Sequence, residues 1–469
     1  MCAAGWERKG ARWRCGCRRS TSTCRSKYAC ATSAANKQSR SPRRSACVED
    51  IVKIQASLVQ SACDALGEVL RTPGPADQSL SRYFRAHRQL GQQDRAFVAE
   101  TVFAVLRRRR SLASAAQTES PRALVLASLI RLHGLSVRAV AELVREKDRP
   151  LLEQIRTARS ETWTDAVQLD LPDWLWLRLV EERGEAEARA LAQGMLAPAN
   201  MDLRVNTFKA EREAVLAALR AGGVECTATP YSPIGIRLTG KPAINRHPLF
   251  LDGSVEVQDE GSQLLATLVA ARRGEMVVDF CAGAGGKTLA LGAMMKSTGR
   301  LYAFDVSAKR LAALDPRLAR SGLSNVHPVA LSGENDLRAK RLAGKIDRVL
   351  VDAPCSGFGT LRRNPDLKWR YAQADVDELV AKQGRILDAA AKLLRVGGRL
   401  VYATCSVLRA EGEGVAESFL ASHSGFKPVS CAAVLATQNV PLDTGEHLRV
   451  VPHLHGTDGF FAAVFERTA

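Results

Sequence analysis

The stretch VVDFCAGAGGKT, residues 277–288, decides the fold class because it runs from an apolar strand through a glycine-rich turn into a helix. Three glycines let the backbone bend tightly and come close to a ligand, while the following helix offers free N–H groups. The spacing matches neither the G-x-x-x-x-G-K-[ST] P-loop nor the G-x-G-x-x-G dinucleotide motif. The turn therefore favours a nucleotide-like cofactor of another kind over a plain tight turn.

Short apolar runs, separated by helical stretches, recur through this part of the chain. They are MVVDF (276–280), LYAFD (301–305), DRVLVD (347–352) and RLVYAT (399–404). This alternation predicts an α/β fold with a parallel sheet wrapped by helices. The second run ends in Asp305, where a carboxylate can accept hydrogen bonds from ribose hydroxyls. The segments Leu448–His453 and Gly459–Phe465 predict an antiparallel pair that completes the sheet.

Two cysteines follow strands of this predicted sheet. Cys355 lies just after the strand that ends at Asp352, and Cys405 follows the next strand. A lone cysteine is ordinarily a small buried hydrophobe, but ligands of open α/β sheets bind at these strand ends. Two thiols facing one crevice therefore predict nucleophilic chemistry by a thiolate. The basic pair Arg362-Arg363 follows closely and is predicted to supply charge or grip phosphates.

The chain before residue 251 predicts two further regions. Between residues 48 and 160, apolar residues recur at three- and four-residue spacing, which predicts an all-α domain with a break at Gly91. The run Arg107–Arg110 closes one of its helices, either as a solvated helix end or as an RNA phosphate contact. Residues 161–250 predict linker helices and a small α+β unit that reads strand, helix, strand from Asp202 to Leu238.

Length and charge set the wider limits. A chain of 469 residues with 46% apolar residues has room for about two to four globular domains. Lys and Arg outnumber Asp and Glu by 67 to 49, and the net charge of +18 points to a polyanionic partner. Residues 1–47 hold 12 of these cations against Glu7 alone, which leaves only +7 for the rest. No apolar stretch approaches the roughly 20 residues of a membrane span, so we expect a soluble, cytoplasmic protein.

The basic tail, residues 1–47, also carries six of the twelve cysteines and much Ser, and it cannot build a core. The spacing of Cys15, Cys17, Cys24 and Cys30 lacks the C-x-x-C pairs of a zinc site, and we place no metal ligand there. The composition fits a transit peptide but shows no amphipathic apolar face. We predict a disordered or non-native extension, with a true start near Val48 as one alternative.

The chain resembles the RsmB/Nop/Sun family of RNA cytosine-5 methyltransferases over residues 165–469, closest to the RsmB branch. The strings that carry the likeness are DFCAGAGGKT (279–288), DAPCSGFGTLRRNPD (352–366) and YATCSVLRAEGEGV (402–415). Supporting matches are LRVNTFK (203–209), VEVQDEGSQL (255–264) and DGFFAAVF (458–465). LSRYFRAHRQLGQQDR (80–95) resembles the NusB-like N-terminal domain of the RsmB branch.

The resemblance implies a Rossmann-like class I methyltransferase domain (251–469) that uses S-adenosylmethionine. In the chain it follows a NusB-like RNA-binding domain and a small α+β RNA-binding subdomain. It assigns Cys405 as the nucleophile and Cys355 to product release. It implies that Asp305 binds the ribose hydroxyls of the cofactor and that Asp352 forms the floor of the active site, near cofactor and base. It also places Arg310 near the adenosine. The turn residues that it assigns to the cofactor are Cys281, Ala282, Gly283, Ala284, Gly285, Gly286 and Lys287.

The chain departs from the family pattern at two positions. Ala284 stands where the usual turn has proline, and Ser332 stands where the third strand normally ends in an aspartate near the adenine, with Glu334 or Asp336 displaced. The surfaces around Arg204 and Asn206 and the helical domain are predicted to grip RNA. We expect a monomer that modifies 16S ribosomal RNA. Transfer RNA as substrate, or an RNA-binding assembly factor on a decayed methyltransferase scaffold, remain the alternatives.

Overall fold

The structure is a computed structural model that describes residues 54–469, and it begins with a helical region. Apolar side chains of this region meet in one core, in which Leu66, Val102 and Leu124 are fully buried. The predicted all-α character is confirmed over the described residues, and the predicted basic tail lies outside them. The helices are α1 (Ala56–Arg71), α2 (Ala76–Ala86), α3 (Gln92–Arg107), α4 (Arg109–Ala116), α5 (Pro121–Arg131), α6 (Val137–Ala141) and α7 (Arg149–Thr157).

Local sequence signals explain where these helices begin. Gly91 precedes α3, as the predicted break requires, and its N–H donates to the Asp94 carboxylate at 3.0 Å. The Ser120 hydroxyl accepts from the N–H of Ala123 at the start of α5, and Pro121 occupies the first helical position. The run Arg107–Arg110 spans the break between α3 and α4, so it does not close a single helix.

Linker helices and a small antiparallel sheet come next. The elements are α8 (Asp165–Gln168), α9 (Asp173–Arg183), α10 (Glu185–Met195), β1 (Met201–Val205), α11 (Arg212–Ala221), β2 (Cys226–Ala228), β3 (Gly235–Leu238), α12 (Pro248–Leu251) and β4 (Val255–Val257). The strand order is β2-β3-β1-β4. The predicted strand-helix-strand unit is present, with its last strand divided into the hairpin β2–β3. Because β4 pairs with β1, we propose that this region ends after Val257 and not at residue 250.

The remaining chain forms the large sheet. Its elements are α13 (Glu260–Val269), β5 (Met276–Asp279), α14 (Gly286–Met294), β6 (Arg300–Asp305), α15 (Ala308–Ala312), α16 (Asp315–Ser321), β7 (Val326–Ala330), α17 (Leu337–Lys340), β8 (Ile346–Asp352), α18 (Gln373–Ala391), β9 (Leu394–Thr404), α19 (Glu413–Ser422), β10 (Phe426–Val429), α20 (Cys431–Thr437), β11 (Leu448–Val450), α21 (Pro452–His455) and β12 (Phe460–Arg467). Strands β7, β6, β5, β8 and β9 are parallel neighbours in that order. Strand β12 is antiparallel to β9, β10 and β11, which confirms the α/β fold and its antiparallel end.

The register of the parallel strands places the candidate site residues at one edge of the sheet. Asp279 pairs with Ala303 of β6 and Leu350 of β8, and Asp352 pairs with Ala403 of β9. Helices cover both faces, which explains why the strands are continuous apolar runs. The turn after β5, Asp305, Cys355 and Cys405 therefore share the carboxyl-terminal edge. Across residues 54–469, no helix combines the length and apolar character needed to cross a membrane.

Candidate active site

The glycine turn between β5 and α14 is shaped by two residues with positive φ. Gly283 (φ +56°) has open space where a side chain would project, since nothing lies within 4 Å of a Cβ built there. Gly285 (φ +80°) packs so closely that a Cβ would lie 2.2 Å from Cδ1 of Leu314. Glycine at 285 is thus required both by backbone conformation and by packing. The first N–H groups of α14 have no carbonyl partner within the helix and face this open turn.

Asp305 closes one side of the turn. Its carboxylate is 3% exposed and accepts the N–H of Gly283 at 2.8 Å, the N–H of Ser307 at 2.7 Å and the Arg310 guanidinium at 2.9 Å. Arg310 itself is largely exposed, with 58% of its side chain accessible. The carboxylate predicted to meet ribose is therefore fixed against the glycine turn, with a cation beside it.

Lys287 and Asp352 form an ion pair between the turn and the end of β8. The Lys287 Nζ lies 2.7 Å from Asp352 Oδ2 and 5.9 Å from the centre of the Phe460 ring. Burial alone would lower the pKa of this ammonium, but the charge and the hydrogen bond of the Asp352 carboxylate oppose burial, and the pKa is raised. Lys287 is thus a charged group at the floor of the crevice.

Asp279 lies beneath the turn in a dry environment. It is 1% exposed, and its Oδ2 accepts the Thr288 hydroxyl at 2.7 Å. Its Oδ1 has no hydrogen-bond partner in the described part of the chain. Burial is the main reason that the pKa of this carboxyl rises from 3.8 to about 7, and the nearby charge of Asp352 adds to it.

The two predicted cysteines meet at the sheet edge. The sulfur atoms of Cys355 and Cys405 are 3.3 Å apart. Gly359, in the loop after Cys355, donates its N–H to the carbonyl of Cys405 at 2.9 Å and accepts the N–H of Gly459 at 2.8 Å. A Cβ at Gly359 would lie 2.0 Å from the Gly459 carbonyl oxygen. Direct backbone contact, possible only with glycine at 359, therefore sets the distance between the two cysteine loops.

A buried polar network supports both loops from below. The Glu411 carboxylate is fully buried and accepts the N–H of Ser356 at 2.8 Å, the Ser356 hydroxyl at 2.5 Å and the Gln383 amide at 3.1 Å. Gln383 also donates to the carbonyl of Pro354, and the Tyr402 hydroxyl donates to the carbonyl of Glu411. These bonds leave the loop before and after Cys355 little freedom to move.

The cysteines of the site differ in their surroundings. Interaction with Cys405 is the largest cause that raises the pKa of Cys355 well above 9.0, followed by burial and by the charge of Glu411. Cys281 is set apart, because burial and then three carboxylates raise its pKa strongly. Cys281 therefore lines the turn as a neutral thiol, whereas the sulfur of Cys355 lies against that of Cys405.

The sequence matches known methyltransferases over most of its length. The family model described as 16S rRNA methyltransferase RsmB/F matches residues 266–466, and a model of the RsmF/B-like ferredoxin-like domain matches residues 171–245. A relative from Synechocystis sp., named probable ribosomal RNA small subunit methyltransferase B, is 31% identical over 445 residues, covering 85% of this chain and 96% of the relative. The chain belongs to the RsmB/F family of 16S rRNA methyltransferases.

Other relatives agree with the RsmB/F assignment along most of the chain. Ribosomal RNA small subunit methyltransferase B of Pectobacterium atrosepticum is 32% identical over 444 residues, covering 88% of this chain and 99% of the relative. The crystal structure of a protein named PH0851 superposes with a TM-score of 0.72 at 26% identity, covering 89% of this chain and all of that protein. A methyltransferase homologue from Pyrococcus horikoshii gives a TM-score of 0.56 at 27% identity, covering 66% and 100%.

The cofactor of this RsmB/F protein is S-adenosylmethionine, and the residues at the turn fit it. The open space above Gly283 leaves room for a ligand against the backbone. Asp305 and Asp352 lie beside the turn, each bonded to one cation, and a third carboxyl, Asp279, lies beneath it with one oxygen that has no partner among the described residues. A ligand with a cationic sulfonium suits a site lined by carboxyl groups.

Several basic and polar residues singled out in the sequence are bonded within the protein. Arg204 is not available to RNA, since it is 2% exposed and donates to the Gln258 side chain at 2.5 Å and to the carbonyl of Gly286. Asn206 is 5% exposed and donates to the carbonyls of Gly253 and Ser321. These side chains instead attach the small sheet to the large one.

Arg362 and Arg363 are bonded to carboxylates of the protein itself. Both bind the buried carboxylate of Asp458, and Arg363 also binds Asp259 at 2.9 Å. The pair therefore fastens the loop after Cys355 to the segment before β12 and to the start of α13.

Two members of the run Arg107–Arg110 are bonded to other segments of the protein, whereas Arg108 and Arg109 remain partly exposed. Arg107 donates to the carbonyl of Arg362 at 2.9 Å, and Arg110 binds the carbonyl of Leu171 and the Asp173 carboxylate. In return, Lys368 Nζ donates to the carbonyl of Arg107 at 2.9 Å. The run connects the helical region to the loop that follows Cys355.

At the end of β7, Asp336 supplies a carboxylate close to the position where the family pattern has an aspartate. Ser332 occupies the aligned position, and its N–H and hydroxyl both bind Asp336 Oδ2, at 2.8 and 3.0 Å. Arg338 binds the same carboxylate and is the main cause that lowers its pKa. A carboxylate thus returns to the end of β7 from four residues further along the chain.

Sequence reasoning missed Glu411, Gln383 and Gly359. Glu411 stands within the quoted string YATCSVLRAEGEGV, but nothing in a sequence shows that this glutamate is buried. Gln383 lies in the middle of α18, far from either cysteine in the chain. Gly359 carried a usable signal, since a second glycine two residues after Gly357 suggests a close backbone approach.

Proposed function

We propose that this RsmB/F family protein transfers a methyl group to carbon 5 of a cytosine in 16S ribosomal RNA through a covalent bond to Cys405. The single observation that carries the proposal is the 3.3 Å separation of two thiols at the carboxyl-terminal edge of the sheet, beside the glycine turn. The names of the relatives support small-subunit ribosomal RNA as the substrate.

The chemistry requires a thiolate because carbon 5 of cytosine is too weak a nucleophile to accept a methyl group unaided. Addition of the Cys405 sulfur to carbon 6 breaks the ring double bond and moves electron density to carbon 5. When bound, S-adenosylmethionine supplies the methyl group that carbon 5 receives. A base then takes the carbon 5 proton, the double bond re-forms, and the Cys405 thiolate leaves. Cys355, in contact with the leaving sulfur, assists this release.

The other site residues hold cofactor and base in this proposal. The turn from Cys281 to Lys287 receives the methionine and ribose parts, and Asp305 binds the ribose hydroxyls, with Arg310 beside it. Asp352, fixed by Lys287, forms the floor near the reacting carbons. Asp336 replaces the displaced carboxylate near the adenine.

The target base must leave its stack, because carbon 6 is inaccessible inside an RNA helix. The protein therefore acts on a loop or splays the cytosine into the crevice. We propose that it does so as a monomer.

The test is bisulfite sequencing of 16S ribosomal RNA from a deletion strain complemented with the wild-type protein or with Cys405→Ala. We expect one cytosine to lose protection in the deletion strain and to regain it only with the wild-type gene. Unchanged protection of ribosomal RNA, or loss at a transfer RNA position, would overturn the substrate. Absence of S-adenosylmethionine binding in a calorimetric titration would overturn the activity.

A further inference from the structure

The two thiols of the candidate site lie between charges of opposite sign. On the Cys405 side is the ammonium of Lys287, which is bonded to Asp352, and Asp352 pairs in the sheet with Ala403, two residues before Cys405. A nearby ammonium favours the anionic form of a thiol over the neutral form. Lys287 remains charged because it is bonded to Asp352 at 2.7 Å.

On the Cys355 side is the carboxylate of Glu411. It is fully buried, and no Lys, Arg or His nitrogen lies within ion-pair distance of it among residues 54–469. Three donors, the N–H and hydroxyl of Ser356 and the amide of Gln383, hold it as an acceptor. Because Ser356 follows Cys355 directly, this uncompensated charge lies close to the Cys355 sulfur and disfavours a second anion there.

We infer that Glu411 is a positioning residue that keeps the proton on Cys355, and so leaves Cys405 as the thiol that ionises and attacks. The assignment of attack to Cys405 rests on the proposed function. The protonation difference between the two thiols rests only on the charges around them.

The other titratable groups near the pair do not cancel this difference. Tyr402 is fully buried, its hydroxyl donates to the carbonyl of Glu411 and lies 3.2 Å from the Gln383 side-chain oxygen, and burial is the main cause that raises its pKa. Burial likewise raises the pKa of Tyr371, on the loop after Cys355. Both phenols therefore stay neutral near neutral pH. Asp352 is already paired with Lys287, which leaves Glu411 as the unpaired charge beside Cys355.

The test is alkylation of the full chain by iodoacetamide, read by mass spectrometry on two tryptic peptides. VLVDAPCSGFGTLR (349–362) contains Cys355 as its only cysteine, and LVYATCSVLR (400–409) contains Cys405, so cysteines elsewhere do not interfere. In a Cys405→Ser background, Glu411→Gln removes the charge and keeps the size of the side chain. We expect the pKa of the Cys355 thiol to fall and peptide 349–362 to be labelled about tenfold faster near neutral pH. An unchanged rate would overturn the inference.

Glu413→Gln is the matched control. Glu413 is also a buried glutamate, two residues further along, but it pairs with Arg449 and makes no bond to the Cys355 loop. We expect no change in Cys355 labelling, and a change equal to that of Glu411→Gln would count against a specific role. Glu411→Asp keeps the charge and should restore slow labelling.

Two further measurements keep the inference testable if Glu411→Gln does not fold. In the wild-type protein, between about pH 6 and pH 9, peptide 400–409 should be labelled before peptide 349–362. The reverse order would overturn the inference without any variant. Neither experiment needs RNA or cofactor, so failure of the proposed function, seen as no cofactor binding, would be distinguishable from failure of this inference.

Discussion

Replacement of Gly359 by alanine tests whether backbone contact between the two cysteine loops sets the geometry of the site. The added Cβ would lie 2.0 Å from the carbonyl oxygen of Gly459 and 2.8 Å from that of Cys405. Since side-chain carbons do not approach backbone oxygens closer than about 3 Å, the Cys355 loop must move by about 1 Å. The hydrogen bond from Gly359 N–H to Cys405 is then strained or lost.

The expected magnitude follows from these contacts. Overpacking of this kind costs about 1–3 kcal/mol of folding stability. A displacement of about 1 Å at reacting groups costs roughly 100-fold in turnover. We therefore expect Gly359→Ala to lower methyl transfer about 100-fold, while S-adenosylmethionine affinity stays close to that of the wild type because the glycine turn is not touched.

The assay is transfer of a radiolabelled methyl group to 16S ribosomal RNA, with thermal unfolding measured in parallel. Gly384→Ala is the matched control, because nothing lies within 4 Å of a Cβ there and the residue is inside α18. This control should keep its activity and gain up to about 1 kcal/mol of stability. Wild-type turnover in Gly359→Ala would refute the argument that the contact fixes the cysteine pair.

Three further predictions concern buried charges. The pKa of Asp279 is about 7 in the folded protein and 3.8 ordinarily, so the folded state keeps a proton that the unfolded state loses between about pH 4 and pH 7. As pH rises through this range, the wild type should lose stability relative to Asp279→Asn. Urea unfolding should show a loss of at most about 1.4 kcal/mol per pH unit. Burial lowers the pKa of Lys368 from 10.5 to about 7, so the opposite sign holds: stability should rise between about pH 7 and pH 10, and Lys368→Met should abolish this rise. Arg204→Lys should weaken cofactor binding about tenfold by calorimetry, because the contact with the carbonyl of Gly286 is lost, and should leave RNA affinity unchanged. Loss of RNA affinity alone would restore Arg204 as an RNA contact.

The parallel sheet and its ligand edge were predictable from the sequence because buried strands are continuous apolar runs. The turn after β5 and the positions of Cys355 and Cys405 follow from where those runs end. Their approach to 3.3 Å was not predictable, since it depends on the contact between Gly359 and Gly459, 100 residues apart in the chain.

The basic residues show where sequence reasoning fails. A run such as Arg107–Arg110 looks like a charged surface, but its carbonyl and carboxylate partners come from distant segments that only the fold brings near. Arg204 illustrates the same limit, because a buried arginine and a surface arginine have the same letter. At Ser332 the sequence suggests that a carboxylate is missing, but the fold brings the carboxylate of Asp336 to the same place.

The most direct test of the proposed chemistry is covalent trapping with RNA that contains 5-fluorocytosine at the target position. Fluorine at carbon 5 cannot be removed as a proton, so the enzyme remains attached to the base after methyl transfer. We predict a stable adduct on peptide 400–409, lost in Cys405→Ala and retained in Cys355→Ala. An adduct on peptide 349–362, lost in Cys355→Ala and retained in Cys405→Ala, would contradict the account.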